Sequence, residues 1–315
     1  MGKIAFVFPG QGSQAVGMGK SLADQHPYIR EMLQKADEKL GYSLTDIMFN
    51  GPEEKLTLTS NAQPALLAVS MAVLKRFEKE GIKPDYTAGH SLGEYSALAA
   101  AGSLTYEEAV RAVHQRGNLM EEAVPAGQGA MAAVLGMDRA LLEEVVSGVS
   151  KEGHIVAAAN FNCPGQIVIS GSKEGVEQAS GLLKEKGAKR VIPLNVSGPF
   201  HSPLMKPAAE KLRAVLREAN IHSSSIPVIA NVDAQPVSDA EAIKENLVKQ
   251  LYSPVLWEDS VQKMLDLGVD TFVEIGSGTV LSGLIKKVNR RVRTFAISDE
   301  ESAAKAAAAI KEDGQ

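Results

Sequence analysis

Cysteine occurs once in these 315 residues, at Cys163. A single thiol excludes an intramolecular disulfide and any cysteine-rich metal site, and no group of residues has metal-ligand spacing, so no bound metal is expected. An excess of positive charge is also missing. With 33 Lys and Arg against 38 Asp and Glu, the net charge is -5, which argues against a nucleic-acid binder, whose affinity comes largely from neutralising phosphates. No long apolar run is present. The longest, 65–74, is interrupted by Ser70 and falls short of the roughly 20 residues a membrane helix needs. The run Ile4 to Phe8 is too short for a signal peptide and leads into a Pro-Gly turn. No internal repeat is visible. What remains is a soluble, cytoplasmic chain whose 44% hydrophobic content can bury a large core, in one large domain or two unequal ones.

Short apolar runs alternate with helical patterns in the first part: a strand at Ile4 to Phe8, helices around Met18 to Ala23 and Tyr28 to Leu40, then an all-round apolar helix from about Asn61 to Glu80. This predicts an α/β core with a mainly parallel sheet. From Gly127 to Val196 the pattern changes to strand Met131 to Leu135, helix Asp138 to Ser150, strands Ile155 to Phe161 and Gln166 to Ser170, helix Lys173 to Lys186 and strand Arg190 to Val196. That βαββαβ order is the ferredoxin-like arrangement. We therefore expect a hydrolase-like core, residues 1–126 and 197–315, interrupted by a small domain at 127–196, with Cys163 in one of its loops. Further α/β elements follow: a helix from about Pro203 to Ala219, strands at Pro227 to Asn231 and Thr271 to Ile275, and a helix after Gly278. The alanine-rich tail from Ser302 to Gln315 reads as a surface helix that frays.

The chemistry begins at Gly89-His90-Ser91-Leu92-Gly93-Glu94. Here a short strand from Tyr86 turns into an alanine-rich helix with a serine between two glycines, the frame of a nucleophile elbow. A serine hydroxyl needs a neighbouring base, normally histidine. Of six histidines, His26 and His222 lie in polar segments, His114 plots onto the exposed side of its helix, His154 begins a small-domain strand, and His90 points away from its neighbour Ser91. His201 stands out, because Val196 to Pro203 is a loop between strand and helix, where reactive side chains are commonly displayed. The developing oxyanion would take the Leu92 amide and a second donor from the loop Pro9-Gly10-Gln11-Gly12-Ser13-Gln14. That loop also fits Gly-x-Gly-x-x-Ala after a strand, a dinucleotide fingerprint. The fingerprint expects an acidic residue ending a second strand, whereas Asp37 and Glu38 lie within a helical pattern.

The helix from Ser103 to Val124 opens on a capping box at Thr105 and places Ala109, Val113, Arg116 and Met120 on one packed stripe. A guanidinium there needs an anionic partner. That partner is either a structural Asp or Glu, or the carboxylate of a ligand.

Taken together, the loops around Gln11 and Ser91, Gln115-Arg116-Gly117, Gly198-Pro199-Phe200-His201-Ser202, and Gln250-Leu251 with Pro254-Val255 resemble the malonyl-CoA:acyl carrier protein transacylases. The segments run nearly the whole chain in that family's order. The resemblance implies a stand-alone S-malonyltransferase of fatty acid biosynthesis in which Ser91 is acylated, His201 is its base, the Gln250 backbone carbonyl orients His201, and the Gln11 and Leu92 amides form the oxyanion hole. It also implies that Arg116 binds the malonyl carboxylate, that Gln63, Met120 and Asn160 line the acyl pocket, and that Phe200 favours malonyl over methylmalonyl groups. The partners are malonyl-CoA and an acidic acyl carrier protein. Lys286, Lys287, Arg290 and Arg291 offer one basic docking run, and Lys184, Lys186, Lys189 and Arg190 another. No cofactor is required, since the thioester already activates the acyl group, and a monomer is expected. The competing readings are a thioesterase-like serine hydrolase using the same Ser-His pair, and a nucleotide-binding or catalytically silent interaction protein.

Overall fold

Strand β1 (Lys3–Phe8) sends alternate side chains into two different cores. Ile4, Phe6 and Phe8 join one apolar cluster and Ala5 and Val7 another, as the two-residue period of a strand buried on both faces requires. The computed structural model describes residues 2–125, 127–196 and 198–312. After β1 come helices α1 (Lys20–Gln25), α2 (Pro27–Leu40), α3 (Leu44–Asn50), α4 (Glu53–Thr57) and α5 (Thr59–Phe77). α5 is buried around most of its circumference, as expected of an all-round apolar helix. Strand β2 (Tyr86–Gly89) turns directly into α6 (Leu92–Ala100), and α7 (Tyr106–Glu122) follows. The capping box of α7 is present, with the Glu108 amide donating to Thr105 Oγ1 at 3.2 Å.

Next come β3 (Gly129–Leu135), α8 (Arg139–Lys151), β4 (Val156–Cys163), β5 (Gln166–Ser172), α9 (Lys173–Glu185) and β6 (Arg190–Pro193). The chain continues through α10 (Lys206–Glu218), β7 (Val228–Ile229), β8 (Pro236–Val237), α11 (Ala240–Gln250), β9 (Val255–Leu256), α12 (Trp257–Asp266), β10 (Val269–Ile275), α13 (Val280–Val288), β11 (Arg293–Ile297) and α14 (Glu300–Glu312). The larger sheet has the order β11-β10-β1-β2-β7-β8 and is parallel except for the β7–β8 pair. The smaller sheet, β6-β3-β5-β4-β9, is antiparallel except where β9 runs parallel to β4. The protein is thus an α/β fold with two mixed sheets.

Several elements depart from the sequence reading. Helices α3, α4, α11 and α12 and strands β8, β9 and β11 were not anticipated; α3 and α4 span seven and five residues, and β8 and β9 two each. β6 ends at Pro193, not Val196: it is the edge strand, and proline has no N–H to extend a ladder. α14 is more than a surface helix, since Ala303, Ala306, Ala307 and Ile310 are buried and the helix packs on α5 and β11. Ala126 and Ser197, at the expected domain boundaries, and residues 313–315, at the expected frayed end, lie outside the described residues.

Phe8 of β1 is level with Gly89 of β2, so the loops after both strands open at the same carboxyl edge, where sites of α/β sheets form. The approach there is close. A Cβ on Gly89 would lie 1.9 Å from the Gly93 carbonyl carbon, and one on Gly93 would lie 2.0 Å from the Phe8 carbonyl oxygen. We expect Gly93→Ala to cost about 1 to 3 kcal/mol or more in a denaturant melt. Gly148→Ala, inside α8 with open space around the added methyl, should instead add about 0.4 to 1 kcal/mol.

Candidate active site

Ser91 lies between β2 and α6 with φ 52° and ψ -106°, a conformation costing a non-glycine residue on the order of 1 to 3 kcal/mol. The turn pushes the hydroxyl clear of the backbone. His201, in the loop before α10, also has a positive φ, 58°. Its Nε2 lies 2.8 Å from Ser91 Oγ, and its Nδ1 lies 2.7 Å from the Gln250 backbone carbonyl. A carbonyl can only accept, so Nδ1 carries the proton and Nε2 is free to accept one. Burial and the nearby Arg116 charge hold the imidazole neutral, with a pKa lowered to about 3. Neutral imidazole is the form that acts as a base.

Arg116 is buried on the packed face of α7 with Ala109, Val113 and Met120. Its Nη1 donates to Gln63 Oε1 at 2.8 Å, and its Nη2 to Gln250 Oε1 at 2.9 Å and Ser91 Oγ at 3.1 Å. All three acceptors are neutral. Among the described residues none gives the guanidinium a carboxylate partner, and its Nε has no hydrogen-bond partner. Burial lowers its pKa, while the neighbouring Tyr95 and Glu94 oppose that shift.

A cavity of about 380 Å³ opens over Ser91 and His201. Gln11, Gly12 and Gln14 form part of its wall, with Thr57, His90, Met120 and Phe200, while Met131 and Asn160 enter from the smaller sheet. Leu92, Gln63, Arg116 and Gln250 lie behind Ser91 and do not line it. At the first position of α6, the Leu92 amide has no intrahelical acceptor. His90 turns from Ser91 toward β4, with Nε2 2.8 Å from Asn162 Oδ1. His114 is half-buried, not exposed as its helical position suggested, and its Nδ1 donates to the Ser60 carbonyl at 2.9 Å.

The basic run lies away from this edge. α13 leaves the carboxyl end of β10, and the run ends where β11 begins, Arg293 pairing with Thr271 near the start of β10. Lys286 Nζ is taken up by the backbone carbonyls of Arg290 and Val292, and Lys287 Nζ donates to Gln166 Oε1 at 3.2 Å.

A half-buried serine against a buried imidazole, with an adjacent guanidinium, is equipped to accept an acyl group that carries a negative charge. The sequence profile of the acyl transferase domain matches residues 5–314. The chain belongs to the acyl transferase family. It is 58% identical over 313 residues to the malonyl CoA-acyl carrier protein transacylase of Bacillus subtilis, covering 99% of each chain. Among solved structures it matches an acyl-carrier-protein-S-malonyltransferase from Bartonella henselae with a TM-score of 0.95 and 44% identity, over 98% of this chain and 99% of that one. A malonyl-transacylase in complex with its type II PKS acyl-carrier protein matches with the same score, identity and coverage. The family resemblance read from the sequence segments is borne out.

Two residues of this acyltransferase site were not anticipated. Asn231, just after β7, accepts the Ser91 amide at 2.7 Å. Glu94, buried in α6, accepts from Gln250 Nε2 at 2.7 Å and the Asn231 amide at 3.1 Å. A carboxylate inside an otherwise apolar, alanine-rich helix was the available signal. Burial pushes the Glu94 carboxyl up to about 7, against the opposing effects of Gln250, Asn231 and Arg116. Since the unfolded value is 4.5, the folded state holds this proton more tightly. Its contribution to stability is full below about pH 4.5 and is lost as pH rises toward about 7. The unfolding free energy of the wild type minus that of Glu94→Gln should therefore fall by roughly 3 kcal/mol between those limits and stay level above them. A difference constant with pH would contradict this.

Proposed function

We propose that this chain transfers malonyl groups from coenzyme A to the pantetheine thiol of an acyl carrier protein, in fatty acid biosynthesis. The carrying observation is the buried Arg116 guanidinium 3.1 Å from Ser91 Oγ, with no carboxylate partner among the described residues. An acyl group on that oxygen places its third carbon three bonds, roughly 4 Å, away. A carboxylate on this carbon meets the guanidinium, where two parallel N–H donors can hold it. Acetyl groups offer nothing to that charge. The names of the relatives and the carrier complex support the same reading.

In the first half-reaction Ser91 Oγ attacks the thioester carbonyl while His201 Nε2 takes its proton. The Gln11 and Leu92 amides receive the oxyanion, and collapse expels the coenzyme A thiolate, which recovers the proton from His201. The carrier's thiol then repeats the steps on malonyl-Ser91 and leaves with the acyl group. The Gln250 carbonyl orients the imidazole, so no third acid is required. Met120, Asn160 and Phe200 shape the acyl pocket, with Phe200 opposing a branched methylmalonyl group, while Gln63 acts from behind it through Arg116 and Met120.

The thioester supplies the activation, so the scheme needs no cofactor; among the described residues no group of three or more His, Cys, Asp or Glu could hold a metal ion. No helix among them is long and apolar enough to cross a membrane. We take the enzyme to be a cytoplasmic monomer. Residues 127–196 form a ferredoxin-like insertion in a hydrolase-like core of residues 1–126 and 197–315, a reading supported by the strand order β6-β3-β5-β4.

Incubation with malonyl-CoA should leave one malonyl group on Ser91 by intact mass and none on Ser91→Ala. Free malonate without an adduct would favour a hydrolase. Arg116→Ala should lose about 2 to 5 kcal/mol of malonyl transfer, roughly thirty- to several-thousand-fold, and far less acetyl transfer; equal losses would remove its proposed role. The run Lys286, Lys287, Arg290 and Arg291, which lies away from the edge that holds Ser91, is the candidate docking surface for the carrier. Charge reversal at Lys286 and Lys287 should raise the carrier's KM and spare that of malonyl-CoA, and an unchanged carrier KM would exclude this surface.

A further inference from the structure

Asn231 is fully buried, and the acyl-transfer steps above assign it no part. Its carboxamide bonds both sides of the serine turn: Oδ1 accepts the Ser91 amide at 2.7 Å, and Nδ2 donates to the Gly89 carbonyl at 2.7 Å. Its own main chain is held as well. The Asn231 amide donates to Glu94 Oε2 at 3.1 Å, and its carbonyl accepts from the Leu256 amide at 2.9 Å. Gln250 Nε2 lies 3.3 Å from the same Oδ1 and 3.0 Å from the Ser91 carbonyl. Backbone in a left-handed conformation persists only where its surroundings over-determine it, and these contacts surround Ser91 from β7, α6 and α11.

We propose that Asn231 is a positioning residue for acyl transfer: a clamp that holds the Ser91 turn in its left-handed conformation and so keeps Oγ on His201 Nε2. This rests on Ser91 being the acylated nucleophile. The clamp has two chemical consequences. It occupies the Ser91 amide, so the serine's own N–H is not an oxyanion donor and that task falls to neighbouring amides. It also requires a carboxamide, because only a group that donates and accepts at once can bridge a carbonyl and an amide; aspartate would set an oxygen against the Gly89 carbonyl, beside Glu94. Asn231 acts on the nucleophile and not on the acyl group. Its loss therefore affects charged and uncharged acyl groups alike, unlike the loss of Arg116.

The test is rapid-mixing acylation of wild type and Asn231→Ala, read by intact mass. The rate constant for Ser91 acylation should fall roughly ten- to hundred-fold with malonyl-CoA and acetyl-CoA alike, with KM nearly unchanged and final occupancy still one acyl group per chain. An unchanged rate constant overturns the proposal. So does lower occupancy at an unchanged rate constant, the result of a merely structural role, or a loss confined to malonyl groups. Amide hydrogen exchange on the wild type supplies a readout that needs no variant. The Ser91 amide should exchange slowly, and exchange at the open-chain rate overturns the clamp. Absence of any acyl group on wild-type Ser91 overturns the underlying reading and the proposal with it; acylation of both proteins at one rate overturns the clamp alone.

Discussion

A positive charge stripped of water and given no carboxylate partner among the described residues governs the active site of this protein. The Arg116 guanidinium is met instead by the carbonyl oxygens of two glutamine side chains and one hydroxyl, contributed by α5, α11 and the turn before α6. Neutral acceptors compensate a desolvated cation incompletely. Glu94, whose carboxyl burial pushes up to about 7, is linked to it through the amide of Gln250, whose Nε2 faces the carboxyl group while its Oε1 faces the guanidinium. The surrounding polar groups are thereby fixed in direction: each glutamine presents its oxygen to the arginine, and burial, with this charge adding to it, keeps protons off His201.

Backbone geometry does the rest of the positioning. Gly89 and Gly93 let the serine turn sit against the end of β1 at distances no side chain could share, and Ser91 and His201 both adopt left-handed conformations. The strain is local and its restraint is distributed. Elements from far apart in the chain converge on the turn, and the pairing of β2 with β7 in the larger sheet brings Asn231 to it.

Features with a local signature were legible in the sequence. The alternation of strands and helices, the glycine-flanked serine after β2, the capping box at Thr105 and the packed stripe of α7 each follow from neighbours a few residues apart. His201 was recognisable from its loop. Asn231 was not, because its partners are Gly89 and Ser91, more than a hundred residues away, and a lone asparagine after a short strand ordinarily reads as a turn residue. Gln250 contributes a backbone carbonyl, which leaves no mark on residue type, so only the family resemblance brought it forward. Glu94 read as a good helix former; its burial follows from packing on every side of α6. Strands β8 and β9, with two residues each, are too short for a period to emerge, whereas Trp257, Val261 and Met264 on α12 form a helical stripe that was a legible signal.

Strand β9 gives the molecule a property of a different kind. It belongs by chain position to the region of the larger sheet, yet it hydrogen-bonds to β4 at the edge of the smaller one. A few residues upstream lies the carbonyl that holds the His201 ring; within β9, the Leu256 amide also grips Asn231. The smaller sheet supplies Met131 and Asn160 to the roof of the cavity. Strand β9 therefore joins the sheet that roofs the cavity to the backbone that follows Gln250 and to Asn231. The roof of the cavity and the alignment of the nucleophile are, in this architecture, tied together through a strand of two residues.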